Sequence, residues 1–404
     1  MKLRLFAGPL ADAVAHVARA LPARPPVPVL AGILLATGEK GLTLSAFDYE
    51  IAATTSTGAE IADDGTALVS GRLLNDIAKT LPKGGEVDIE LSGARLLLTC
   101  GTARFTLPTL PVDEYPALPP VPDTMLTVDA DALASAVAQV AVAASTDDAL
   151  PVLTGVQMVL EGQRLTLAGT DRYRFGVREL TVKPTGTLPA GKPKRKKKGA
   201  DAEPDTAEEV RRAACTVLVP AKFLSDATRA MAGEHPTALG WNDGQLTLST
   251  PGSSFGTRLL EGEFPRFRGL FPAPEDAELT LTVAVDDALA ALKRVSLVAS
   301  ARTPVRLAVT TASDGATELR LEAGHGDDAH ATDRIPCNTV GGLEGGAAIA
   351  FNPGYLADAL KALATPEATV HITHQHKPAL LTGRAGNLGD NDYEHLLMPI
   401  RLDG

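Results

Sequence analysis

The chain says the same thing three times, and that repetition constrains its fold more than any local motif. The segment PVLAGILLATGEKGLTLSAFDYEIA (Pro28 to Ala52) recurs as PVLTGVQMVLEGQRLTLAGTDRYRFG (Pro151 to Gly176). A fainter copy reads PVRLAVTTASDGATELRLEAGHGDDAH (Pro304 to His330). A second block follows each copy: ALVSGRLLNDIAKTL (Ala67 to Leu81), TVLVPAKFLSDATRAM (Thr216 to Met231) and AAIAFNPGYLADALKAL (Ala347 to Leu363). Each second block reads as a short apolar strand, a cap-like turn and an amphipathic helix. Three domains built alike place function in their arrangement and not in one catalytic pocket.

A chain of 404 residues exceeds what one hydrophobic core usually serves, and the repeats select three domains. Their expected extents are 1–122, 123–275 and 276–404. Within a domain the hydrophobic period alternates, turns helical and alternates again, twice over, so each domain is two βαβββ units and the class is α+β. In the first domain the helix Pro9 to Leu21 places Leu10, Val14, Val17 and Leu21 on one face. Strands ILLAT, LTLSAF and EIAATT follow, then ALVSG, the helix Arg72 to Leu81, and strands VDIEL, RLLLTC and RFTLPT. The matching first helices are Asp129 to Ala144 and Val285 to Ser300, with Asp129 or Asp131 and Asp286 or Asp287 at their dipole-positive ends. Proline-rich junctions, Leu107 to Thr124 and Phe264 to Glu278, are themselves copies of each other.

One segment breaks the symmetry. Asp48 to Val69 spans 21 positions and the matching Asp171 to Val219 spans 48, so 27 residues have entered the second domain. The insertion, about 184–214, holds KPKRKKK (Lys192 to Lys198) and then an acidic run from Asp201 to Glu209. Such a composition buries no core and predicts a disordered charged loop.

Composition narrows the function classes. No run approaches the roughly 18 apolar residues of a membrane span, and the N-terminus lacks a signal-peptide pattern, so the expectation is a cytoplasmic protein without membrane contact. Cys100, Cys215 and Cys337 are odd in number and widely spaced, which predicts buried free thiols. The net charge of -11 argues against a protein that coats nucleic acid non-specifically. No phosphate-binding glycine motif or nucleophile elbow occurs. The HITHQH stretch (His371, His374, His376) invites a metal reading, and a repetitive metal-dependent hydrolase is the rival hypothesis. On a strand, however, His374 and His376 share a face that His371 does not. No catalytic residue, metal or cofactor is therefore assigned. The six helices and their flanks carry eleven basic and eight acidic residues, a bias opposite to that of the whole chain. Four of the acids, Asp129, Asp131, Asp286 and Asp287, sit at helix starts where the dipole accounts for them, and the remaining bias predicts a common helical surface facing a polyanion.

Strands outside and helices inside make a crescent with two unlike ends, whose open strand edges two copies would close head to tail into a ring. Here the residues resemble a known family, the bacterial beta sliding clamps. The resemblance rests on RPPVPVLAG (Arg24 to Gly32), RFTLPTLPVDEYP (Arg104 to Pro116), GTDRYRF (Gly169 to Phe175), EGEFPRFRGLFP (Glu261 to Pro272), FNPGYLADAL (Phe351 to Leu360) and MPIRL (Met398 to Leu402). It implies a homodimeric ring, non-catalytic, that encircles double-stranded DNA without reading sequence. The implied peptide-borne partners are the replicative DNA polymerase, the clamp loader, repair polymerases and ligase.

The resemblance also implies site residues. Arg24, Arg72 and Lys222 match DNA-facing positions. The apolar half of a partner-peptide pocket falls on Leu153, Thr170, Arg172, Tyr173, Arg174, Phe175, Pro265, Leu270, Leu396 and Met398. The adjoining half falls on Asn352, Tyr355, His376, Pro378, Pro399, Ile400 and Arg401. Phe105 and Leu107 are expected to meet Leu297 and Val298 of a second copy. Arg172, Tyr173 and Phe175 stand where many clamps have Gly, His and Leu, which implies an altered peptide preference. A second-copy clamp that resists pocket-binding inhibitors is the variant reading.

Overall fold

The computed structural model describes residues 1–185, 215–233, 235–242, 244–298, 303–313, 315–324, 329–343, 348–384 and 393–401. Most of the charged insertion, including its basic run, lies outside the described residues. Six α-helices occur among them: α1 (Ala7–Val17), α2 (Gly71–Thr80), α3 (Ala130–Ala141), α4 (Ala221–Met231), α5 (Val285–Val295) and α6 (Pro353–Leu363). Each falls where the repeats place one. α1 starts two residues earlier than the sequence reading and its last turn tightens into a 3-10 turn, Ala18–Ala20; Leu10, Val14 and Val17 are buried while Leu21 is half-buried. Burial repeats with the sequence. Ala7, Leu10, Ala13, Val14 and Val17 in α1 correspond to Ala130, Leu133, Ala136, Val137 and Val140 in α3, and to Val285, Ala288, Ala291, Leu292 and Val295 in α5. An apolar stripe at this spacing docks each helix on its own sheet.

The chain forms two compact units that cut across its three repeats. The first takes the described residues of Met1–Asp131, Val182–Pro189 and Asp226–Leu259, and the second those of Ala132–Thr181, Ala190–Ser225 and Leu260–Gly404. The middle repeat contributes strands to both.

Unit 1 holds one fourteen-stranded sheet. From one edge its order is Lys183–Pro184, Leu126–Val128, Thr237–Trp241, Gln245–Thr250, Ser253–Arg258, Ile51–Thr57, Gly41–Phe47, Gly32–Gly38 and Thr66–Ser70. Ala103–Leu110, Arg95–Cys100, Glu86–Ser92, Lys2–Phe6 and Glu60–Asp63 continue it. Unit 2 holds a nine-stranded sheet, Asn338–Gly341, Leu279–Ala284, Glu367–Ile372, Ala379–Arg384, Tyr393–Leu397, Arg174–Thr181, Arg164–Thr170, Gly155–Glu161 and Thr216–Pro220. Its second sheet has four strands, Ile349–Phe351, Val305–Thr311, Thr317–Ala323 and Ala331–Pro336.

The first nine strands of unit 1 and the nine of unit 2 are the same sheet built twice, strand for strand. Each contains a seam where strands of two repeats pair. In unit 1, Phe255 lies opposite Ala53 and Ser253 opposite Thr55. In unit 2, His395 lies opposite Gly176 and Tyr393 opposite Arg178. Two half-sheets remain. The five strands ending at Ala103–Leu110 match one side of a seam, and the four ending at Ala331–Pro336 match the other. Ala103–Leu110 joins its neighbour Thr66–Ser70 only at Leu110 and Thr109. Among the described residues, the outer edges of Ala103–Pro108 and Ala331–Pro336 have no strand partner.

Three short edge strands escaped the sequence reading: Glu60–Asp63, Lys183–Pro184 and Asn338–Gly341, each paired with the first strand of its repeat. Their residues lack the alternation that marks a strand. The histidine stretch also departs from expectation. His371 lies within the strand Glu367–Ile372 and meets Thr382 Oγ1 at 3.2 Å, but His374 and His376 sit in the turn that follows, where the His376 backbone N–H donates to His374 Nδ1 at 3.2 Å. Polar residues before Pro378 favour a turn over a strand. Cys100 and Cys215 are buried free thiols, as expected, whereas Cys337 is only half-buried.

Candidate functional site

The turn that links Arg164–Thr170 to Arg174–Thr181 is shaped by two short side chains. Asp171 Oδ1 accepts from the backbone N–H groups of Tyr173 at 3.0 Å and Arg174 at 3.1 Å. Thr170 Oγ1 accepts from the Arg172 N–H at 3.1 Å and donates to the Arg174 carbonyl at 2.7 Å. This geometry holds Arg172 at φ 82° and turns its side chain and that of Tyr173 outward, both exposed. The same turn is built in unit 1, where Asp48 Oδ1 accepts from Glu50 and Ile51 and Tyr49 sits at φ 75°.

Arg174 points inward. Its Nε donates to Asp171 Oδ2 at 2.9 Å and its Nη1 to Asp358 Oδ2 on α6 at 2.8 Å; the guanidinium lies over the Tyr355 ring at 4.3 Å. With Arg174 only 11% and Asp171 10% exposed, this ion pair is shielded, and losing one partner would strand a buried charge. Arg174 therefore acts as a scaffold that fixes α6 and Tyr355. Asn352 caps α6, accepting the Tyr355 N–H at 3.1 Å, with Pro353 in the first turn. Tyr355 in turn stacks with Tyr173, centroids 6.4 Å apart and planes 28° apart. Burial, and then the Asp171 charge, raises the Tyr355 hydroxyl pKa, so the ring is neutral at physiological pH.

Behind this turn lies an aromatic cluster. Phe175 meets Phe267 at 5.0 Å, Phe264 edge-on at 5.8 Å and Phe271 edge-on at 6.0 Å; Leu218, Leu396, Val152 and Leu260 complete the wall. Leu153, Thr170, Phe175 and Leu396 are buried and form structure, while Pro265, Leu270, Met398, Ile400, Arg401 and His376 are exposed and Pro378 and Pro399 half-buried. The C-terminal segment is laid across the site by the Met398 N–H to Tyr173 carbonyl bond at 2.8 Å and the Ile400 N–H to Ala350 carbonyl bond at 2.7 Å. Exposed Leu270 (53%), Tyr173 (55%) and Met398 (41%) beside the aromatic cluster offer apolar surface that an adaptable methionine can fit to a partner. Sequence reasoning missed Asp171, Asp358, Phe264, Phe267 and Phe271. The repeated Asp48 and Asp171 and the copied proline-rich junction were the signals for all but Asp358.

The expected phosphate-facing cations are Arg24 and Arg72 in unit 1 and Lys222 in unit 2. Arg24 is exposed between two 3-10 turns in unit 1, and Arg72 is exposed at the second residue of α2. Lys222 is exposed at the second residue of α4, the same repeat position as Arg72. A cation in a first helical turn opposes the helix dipole, so the dipole does not explain Arg72 or Lys222. Of the expected dimer residues, Leu297 is 82% exposed and Phe105 half-buried, while Leu107 is 1% exposed and belongs to the core of unit 1. The described residues hold no group of three or more His, Cys, Asp or Glu able to bind a metal. No helix among them is long and apolar enough to cross a membrane.

Known proteins match the whole chain. Models of the DNA polymerase III beta subunit match as its N-terminal domain over residues 1–119, central domain over 127–188 and C-terminal domain over 269–401. The chain is 44% identical to the beta sliding clamp of Streptomyces coelicolor, covering 100% of both chains. It is 37% identical to the beta sliding clamp homolog GriR of Streptomyces muensis, covering 97% of each. Among solved structures, the DNA polymerase sliding clamp of Bacillus subtilis superposes with a TM-score of 0.83 at 23% identity over 100% of both chains. A beta sliding clamp from C. crescentus gives 0.82 at 24% identity over 100% of this chain and 99% of that one.

Proposed function

The chain belongs to the DNA polymerase III beta subunit family and is a DNA sliding clamp, and we propose that two copies close head to tail around duplex DNA, helices inward and sheets outward. The observation that carries this reading is the pair of unmatched half-sheets. Setting Ala331–Pro336 of one copy antiparallel to Ala103–Leu110 of another completes a third nine-stranded sheet in the order already present twice. In the register of the two described seams, Ala331 falls opposite Phe105, Thr332 opposite Arg104 and Asp333 opposite Ala103. Two such joins leave neither edge open to further pairing, so the assembly stops at a closed ring. Exposed Leu297 and half-buried Val298, just beyond α5, then cover Phe105 across the join.

Within such a ring, three domains per chain, divided at 122/123 and 275/276, present Arg24, Arg72 and Lys222 to phosphates. Those contacts bind every sequence alike, so the ring slides. The Tyr173, Leu270 and Met398 surface takes short apolar peptide motifs from the replicative polymerase, the clamp loader, repair polymerases and ligase. No bond is made or broken by this chain, which works in the cytoplasm as a processivity factor without cofactor.

The test is topological. Loaded by a clamp loader onto nicked circular DNA, the protein stays bound through gel filtration and is released when a restriction enzyme linearises the circle. Equal retention on both forms overturns encirclement.

A further inference from the structure

Each repeat's first helix presents one position to its seam. The shared burial pattern of α1, α3 and α5 places His16, Gln139 and Arg294 in register. In unit 1 the His16 ring lies 4.1 Å from Phe255, on the far strand of the seam. In unit 2 the Gln139 carbonyl accepts from the Tyr393 hydroxyl at 2.9 Å, and its side-chain amide donates to the Ala362 carbonyl in the last turn of α6 at 2.8 Å. Both are neutral groups that stitch a helix to a strand or helix of the adjoining repeat. Arg294 holds the same position on α5, which packs on Ala331–Pro336 as α1 packs on Ile51–Thr57. It is 59% exposed and donates from Nε to Asp333 Oδ2 at 2.5 Å. Asp333 stands where the other seams have Thr55 and Arg178.

We infer that Arg294 is the locking residue of the seam between copies, held by Asp333 of its own chain and reaching the Phe105 ring and the Thr80 carbonyl of the second copy. The inference rests on the head-to-tail reading. Hairpin registers equate Phe105 with Phe255 and His395, because each lies opposite the matching residue of the preceding strand: Leu98, Leu248 and Leu381. The N-caps Ser70 and Asn352 equate Thr80 with Ala362, each ten residues further on. A guanidinium fits both targets, since an aromatic face attracts a cation and a helix C-terminus carries unpaired carbonyls. Lys79 beside Thr80 opposes this, and the Asp333 carboxylate offsets that repulsion. A charged residue also suits a joint that must open. Arg294 is hydrated in the separated chain, whereas an apolar residue there would expose its surface each time the ring parted.

Sedimentation equilibrium of the full chain across a dilution series tests the assignment. Arg294→Gln, which installs the α3 residue, raises the dimer dissociation constant about tenfold, and Arg294→Glu raises it further. Combining Arg294→Gln with Phe105→Leu costs less than the product of the two single effects, since both remove one contact. Circular dichroism and melting temperature monitor folding, and Arg294→Lys, which keeps charge but not the planar group, falls between. Wild-type affinity in Arg294→Gln, or independent multiplication with Phe105→Leu, overturns the inference. A wild-type chain that stays monomeric, or a dimer indifferent to Phe105→Asp, overturns the head-to-tail reading itself.

Discussion

The two seams share a backbone and differ in almost every side chain. In unit 1, Ala52, Ala53, Thr54 and Thr55 face Gly256, Phe255, Ser254 and Ser253, a set of mostly small residues closed by a Thr55–Ser253 hydroxyl pair at 2.6 Å. In unit 2 the matching positions are Phe175, Gly176, Val177 and Arg178, facing Leu396, His395, Glu394 and Tyr393. Register and entering turn are the same. Small polar residues make a plain joint, whereas Phe175 and Leu396 with the Phe264–Phe271 loop make a rigid apolar floor. The repeat supplies the joint, and a few bulky substitutions turn one joint into the proposed docking site.

Forcing unit 2 toward unit 1 should be costly. Phe175→Ala installs the residue found at Ala52 and empties the centre of the aromatic cluster, which three phenylalanines and Leu396 line. The expected loss is about 3–5 kcal/mol in urea unfolding. A loss under about 1 kcal/mol would mean that the cluster collapses around the gap and is not a rigid floor.

Acid separates the seams next. His395 is fully buried, its Nδ1 beside the Tyr393 hydroxyl at 2.7 Å, and burial drives its pKa down to about 3. The folded state therefore refuses a proton that the unfolded chain accepts near pH 6.5. Stability is complete above that value and falls by up to about 1.4 kcal/mol per pH unit between roughly 6.5 and 3. His395→Phe, the residue of unit 1, should flatten that slope between pH 7 and 5. His16 is also shifted down by burial, so some acid sensitivity remains in the variant. An unchanged slope would assign the acid response elsewhere.

Repeat count, helix positions and most of the buried face of α1 were legible in the sequence because they are local and periodic. The seams were not. Pairing Ser253–Arg258 with Ile51–Thr57 joins residues about two hundred positions apart, and nothing in either strand's alternation names its neighbour. Leu107 shows the cost. Its place on the strand proposed to join two copies was readable, but which face it takes depends on the sheet, and the structure turns it into the core. Arg174 was assigned to the pocket, yet its carboxylate partner Asp358 sits on a helix far along the chain, so its scaffold role became visible only in three dimensions.

Smaller effects probe the plain seam. Thr55→Val keeps the shape and β-branching but removes the hydroxyl pair with Ser253, leaving the half-buried Ser253 hydroxyl to find another partner. A loss of about 1 kcal/mol is expected in urea unfolding, without change in peptide binding. Peptide affinity lowered along with stability would show that the two seams are coupled.

The smallest effect tests whether the shared turn carries the same strain in both units. Tyr49 and Arg172 hold positive φ without glycine's freedom, and both are exposed, so replacement removes little packing. A left-handed conformation costs an ordinary residue roughly 1–2 kcal/mol, while glycine adds about 0.5–1 kcal/mol of chain entropy on folding. The first term wins narrowly, so Tyr49→Gly and Arg172→Gly should each stabilise by roughly 0.5 kcal/mol in matched urea titrations. Only Arg172→Gly should also change peptide affinity, because only that turn borders the proposed docking surface. If Arg172→Gly destabilises while Tyr49→Gly stabilises, the Arg172 side chain makes a contact that offsets its strain, and the two turns are alike in backbone alone.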